Sequence, residues 1–129
     1  MRFYLFSFCL CALGCGGAPT DKAKGSAAWA QARVISHAVK RYVVEHDGIY
    51  PRNLDQLLQK DDDGNGPYLE GVDSLKDPWG QTYKYDPGGA INVEHGTLGS
   101  TPPDVYTIHP KGGRLIGNWS PNAPPMWKK

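Results

Sequence analysis

Between Ala27 and His46 the chain reads AAWAQARVISHAVKRYVVEH, and neither glycine nor proline interrupts it. In a sequence of 129 residues with 16 glycines and 11 prolines, that gap in the helix breakers constrains the fold more than any other feature. Ala28, Ile35, Ala38, Val39, Tyr42 and Val43 recur at helical spacing, while Gln31, Arg33, Lys40, Arg41 and Glu45 fall mostly outside that stripe. The spacing predicts a helix that packs by one face. Ser26 stands where an N-cap is expected, and Asp47-Gly48 supplies a stop, because glycine accepts the left-handed conformation past a helix end.

Next, in GIYPRNLDQLLQK, Tyr50-Pro51 forces an extended bend, and Asn53 can cap a short helix with Leu54, Leu57 and Leu58 facing inward. A long polar connection follows from Asp61 to Gly80, and such a connection in a compact domain is usually functional or ion-stabilised. Beyond it the period changes to two. QTYKYD, DVYTIH and RLIGNWS are strand candidates, separated by the loops PGGAINVEHGTLGSTPP and PKGG. Helices first and strands after predict an α+β domain over residues 27–120. It has a long N-terminal helix and a short second helix packed on a three- to four-stranded antiparallel sheet. Residues 121–129, PNAPPMWKK, are proline-rich and expected to be irregular.

The start, MRFYLFSFCLCALGCGG, has a charge at Arg2, an apolar run from Phe3 to Leu13, and small residues after it. That is a secretory signal layout, and the run is shorter than the roughly 20 apolar residues that span a bilayer. ALGC resembles a bacterial lipobox, with Ala12 where leucine is usual, so residues 1–15 are expected to be a lipoprotein-like signal peptide with Cys15 lipidated after cleavage. Residues 16–26 then read as a flexible tether. The alternatives are ordinary cleavage near Ala18, giving a secreted domain, and retention of residues 1–15 as an anchor. Cys9, Cys11 and Cys15 all lie in this segment, which leaves no disulfide framework for the domain. Gly16, in place of the aspartate that retains many lipoproteins in the inner membrane, favours the periplasmic face of the outer membrane.

Only Arg2 of the 14 basic residues is in the leader, so the remainder balances 13 basic against 13 acidic groups. With no basic stripe, nucleic acid is not an expected partner. No nucleophile elbow, zinc-binding HExxH, phosphate loop or paired apolar carboxylates appear, so neither an enzyme nor a small-molecule substrate is expected. His37, His46, His95 and His109 lack metal-ligand spacing. Calcium is the one cofactor suggested. In DDDGNG, Asp61, Asp63 and Asn65 occupy the first, third and fifth positions of an EF-hand-like loop, with Gly66 at the sixth, but Val72 stands where a closing glutamate belongs. Glu70 or Asp73 would have to complete the set. A solvated turn explains the same residues.

In DPWGQTYKY, Pro78 and Gly80 are expected to set a turn, Asp77 to cap it, Trp79 to fill the core, and Tyr83 and Tyr85 to share one strand face. Trp119 is expected to pack where sheet meets helix. Taken in order, AVKRYVVEHDGIYPRNLDQLL, PYLEGVDSLKDPWGQTYKY, DVYTI and GNW resemble the globular region of the major pseudopilin of bacterial type II secretion systems. Tyr42, Tyr50, Pro51, Asp77, Pro78, Trp79, Gly80, Tyr83, Tyr85, Asp104, Tyr106, Asn118 and Trp119 carry the resemblance. It implies a pilin-like fold and a non-enzymatic, membrane-tethered structural or interaction role, with secretion-system or other envelope proteins as partners. Two departures qualify that expectation. The family's prepilin leader and apolar stem have no counterpart here, and its calcium loop is replaced by HPKGGRLIGNW, with Lys111 where a carboxylate is expected and Arg114 nearby. A free-standing periplasmic or extracellular binding module is the alternative, with loops 61–76 and 86–103 as its contact surface and calcium at Asp61–Asn65.

Overall fold

A computed structural model describes residues 17–89, 91 and 103–119. The leader with Cys15, most of the 86–103 loop and the tail after Trp119 lie outside them. Helix α1 runs from Asp21 to Glu45. It begins earlier than the expected start near Ala27, because Thr20 accepts a hydrogen bond from the Ala23 N–H and Asp21 lies in the positive first turn. Residues 21–26, expected to belong to the tether, are therefore helical. The Ser26 hydroxyl, expected to cap the helix, donates instead to the Lys22 carbonyl one turn back.

The helix stops where the sequence places its stop. Asp47 adopts φ 52° and Gly48 φ 84°, and the Gly48 N–H reaches back to the Val43 carbonyl at 2.9 Å. That bond satisfies a carbonyl the helix leaves unpaired. The second helix is a 3-10 turn, Leu54–Leu58, capped by Asn53, whose side-chain oxygen accepts from the Gln56 N–H. A further 3-10 turn spans Val72–Leu75.

Among the described residues three strands, β1 (Lys84–Asp86), β2 (Asp104–Ile108) and β3 (Leu115–Gly117), form an antiparallel sheet in the order β1-β2-β3. Helix α1 lies against it, so the pilin-like α+β expectation holds. Ala32, Ile35, Ala38 and Val39 from the helix, Leu54 and Leu57 from the 3-10 turn, and Tyr83 and Val105 from the strand side form one core. Burying an aliphatic side chain such as Ile35 or Leu57 is worth roughly 1.5–3 kcal/mol, so these contacts, rather than helix propensity, hold α1 on the sheet.

Candidate functional site

The DPWG turn is built around a carboxylate. Asp77 is buried, and its side chain accepts from the backbone N–H groups of Trp79 (2.9 Å) and Gln81 (2.8 Å) and from the Thr107 hydroxyl on β2. Backbone bonds Asp77 N–H to Gln81 carbonyl and Gly80 N–H to Asp77 carbonyl close the loop, with Gly80 at φ 84°. Trp79 does not fill the core as expected. The inward position of the turn is taken by Asp77, so its corner residues project outward, and the half-buried Trp79 ring meets His109 edge-on at 4.8 Å. Tyr83, just before β1, is buried and donates its hydroxyl to the Ala28 carbonyl at 2.8 Å, joining the strand side to α1. Burial, with Asp77 nearby, raises the Tyr83 hydroxyl well above its usual range, which keeps it a donor. Tyr85 packs against the same core from β1, and its hydroxyl is pushed up to about 12, chiefly by burial.

A second constellation ties the end of α1 to the 61–66 loop. His46 stacks on Tyr42 at 3.7 Å and faces Asp61 at 2.9 Å, while the Tyr68 hydroxyl donates to Glu45. Asp61 also accepts from the backbone N–H (2.7 Å) and side-chain amide (3.0 Å) of Asn65. The carboxylate and amide nominated for calcium thus bond to each other. No group of three His, Cys, Asp or Glu side chains among the described residues is arranged to hold a metal ion. Lys111, standing where the resemblance leads one to expect a calcium ligand, instead pairs with Asp21 at the start of α1 at 2.9 Å. The Lys111 hydrogen bond, and then its charge, holds the Asp21 carboxyl below the usual range.

The third feature was not legible in the sequence. A groove of about 550 Å³ lies between the first turns of α1 and β3, walled by Trp29, Ala30, Leu115, Ile116 and Trp119, with Asp21, Lys22, His109 and Arg114 also lining it. The Trp29 indole N–H donates to the Trp119 carbonyl, and Arg33 covers the Trp29 ring at 5.0 Å. The Trp119 ring lies over Gly117, where an added Cβ would sit 2.1 Å from it. Asn118 fastens this corner: its side chain donates to Ser36 on α1 and to the Pro103 carbonyl, and accepts from the Val105 N–H. The Asn-Trp pair is therefore where helix and sheet are stitched together.

The family model described as type II secretion system (T2SS), protein G, matches residues 18–104, more than half of the chain. The chain belongs to that family. No curated protein and no solved structure matches it. Members of the type II secretion protein G family are structural pseudopilins of the cell envelope, and the long helix on a three-stranded antiparallel sheet agrees with that class. No described helix is long and apolar enough to cross a membrane.

Proposed function

We propose that this protein G family member is a lipid-tethered, non-enzymatic structural or interaction component of type II secretion, held at the periplasmic face of the outer membrane through Cys15. The observation that carries the tether is the character of α1. Its first residues, Asp21, Lys22 and Ala23, are exposed, two of them charged, and α1 buries only one face, against its own sheet. A helix of that kind is stable in water and poorly suited to a bilayer core, where each charge costs several kcal/mol. Attachment then falls to the segment before it, where a cysteine follows an apolar run as a lipid acceptor should.

Intact mass spectrometry of the native protein tests this. The expected species starts at Cys15 and carries lipid, and Cys15→Ser abolishes both the added mass and sedimentation with membranes. A lipid-free chain starting near Ala18, or one retaining residues 1–15, overturns the tether. Co-purification of the lipidated form tests the role: secretion components are expected with it, and a monomer recovered without them overturns the assignment to secretion.

A further inference from the structure

We propose that Asn65-Gly66 is a site of self-modification, at which the Gly66 nitrogen closes on the Asn65 side chain and expels ammonia, and that the Asp61 carboxylate guards it. The chemistry belongs to the folded domain and holds whether or not Cys15 carries lipid.

The sequence supplies the reactive pair. Asn65 is the one asparagine of the chain that precedes a glycine. A side chain on the following residue crowds the approach of its backbone nitrogen to the asparagine Cγ, and glycine has none. Gly66 is moreover fixed by the fold. Its φ is 85°, and an added Cβ would lie 2.7 Å from the Gln59 carbonyl oxygen and 3.0 Å from the Tyr68 ring, so a larger residue does not fit. The labile pair therefore comes with the loop, and only its surroundings can restrain it.

The restraint is a single carboxylate. Asp61 accepts from the Asn65 backbone N–H at 2.7 Å and from its side-chain amide at 3.0 Å, and the Asp61 N–H donates to the Asn65 carbonyl at 3.0 Å. Both Asn65 donors converge on one acceptor group, which draws the side chain toward its own N–H. Cyclisation needs it on the other side, with Cγ over the Gly66 nitrogen. In that step a bond forms between the Gly66 nitrogen and Asn65 Cγ, the Cγ–Nδ2 bond breaks, and Nδ2 leaves as ammonia with the Gly66 proton. Water then opens the cyclic imide at either carbonyl, leaving aspartate or isoaspartate at position 65. Every residue from 61 to 66 is half-buried or exposed, so water reaches the loop.

The product cannot remake the clasp. A carboxylate replaces the donor amide against Asp61, so like charges face each other, and isoaspartate also adds a methylene to the main chain. Asp61 is the partner of His46 at 2.9 Å, so the change is passed to the end of α1.

Peptide mapping by mass spectrometry on the native protein, held at mildly alkaline pH, tests both halves. Asn65 is expected to convert to aspartate and isoaspartate more slowly in the folded chain than in a peptide spanning residues 59–67, and Asn65→Gln to abolish the conversion. Asp61→Ala should speed it roughly fivefold or more, the factor that corresponds to one hydrogen bond worth about 1 kcal/mol, with core amide exchange unchanged. Gly80→Ala, which weakens the fold at the other turn, should leave the Asn65 rate close to that of the wild type. Asn65 intact in Asp61→Ala after the peptide has reacted overturns the site. Equal rates in Asp61→Ala and the wild type overturn the guard. An equal acceleration by Gly80→Ala does the same, because it traces the reaction to general unfolding.

Discussion

The chain makes the same turn twice, and the two copies fare differently. At residues 61–65 and 77–81 an aspartate opens the loop, a glycine at positive φ occupies the fourth place (Gly64 at 85°, Gly80 at 84°), and an amide residue closes it. In both, the aspartate N–H donates to the carbonyl of the closing residue, at 3.0 Å for Asp61 and 2.8 Å for Asp77. Both carboxylates accept from the backbone N–H and the side-chain amide of Asn65 or Gln81. Sequence alone dictates this much, because aspartate and asparagine or glutamine with an intervening glycine satisfy each other locally. What differs is the next partner. Asp77 is buried and takes the Thr107 hydroxyl from β2, whereas Asp61 remains partly exposed and meets His46 at the end of α1. The 77–81 turn is a joint of the fold, and the 61–65 turn is a clasp on its surface.

Removing the carboxylates should separate them most sharply. Asp77→Ala leaves the Trp79 and Gln81 N–H groups and a buried hydroxyl without their acceptor, and an unsatisfied buried group costs about 1–3 kcal/mol. A total loss of about 3 kcal/mol or more is expected in denaturant unfolding, with Asp77→Asn recovering part of it. Asp61→Ala should loosen only its own loop and the end of α1. Equal losses for the two alanine variants would mean that the two turns bear the same share of the fold.

Thr107→Val isolates the tertiary partner. It keeps the shape of a buried side chain and withdraws the hydroxyl, leaving one Asp77 oxygen with only the long 3.4 Å bond from Gln81. A cost of about 1–3 kcal/mol is expected, with the turn's own backbone bonds intact by amide exchange. A neutral outcome would mean that the turn holds β2 by backbone contacts alone.

Gly64→Ala and Gly80→Ala form the control. An added Cβ meets nothing within 4 Å at either position, so the penalty is conformational, about 1–2 kcal/mol at each. The two values should agree, whatever the fate of the carboxylates. A larger loss at one site would show that the two turns are not the same local structure.

The sequence made the local half of this legible and missed the long-range half. The Asp47-Gly48 stop of α1 and the Asn53 cap follow from neighbours along the chain, and local bonds decide them, while the stripe on α1 and the strand segments show in the period of their side chains. The outward Trp79 does not follow, because which residue of a turn faces inward depends on Thr107, far along the chain on β2. The Trp29–Trp119 groove and the Asn118–Ser36 bond were hidden for the same reason. The start of α1 is the local exception: Thr20 and Asp21 together outcompete Ser26, and Gly25 is carried within the helix at a modest cost.

The smallest expected effect is titration of the exposed turn. Burial, the largest single influence on Asp61, pushes its carboxyl up. The side-chain and backbone hydrogen bonds from Asn65, with the neighbouring His46 and the Asp63 backbone, outweigh it and hold the group below the usual carboxylate value. A carboxyl whose pKa falls on folding contributes stability that is complete above the unfolded value, near 3.9, and is lost as pH drops through the lower folded value. The Asn65 amide resonance in the folded chain should therefore titrate with a midpoint below that of Asp61 in a short peptide spanning residues 59–67, and Asp61→Asn should abolish the transition. A midpoint at or above the peptide's would mean that desolvation dominates at Asp61, making it a clasp strained rather than supported by its own amides.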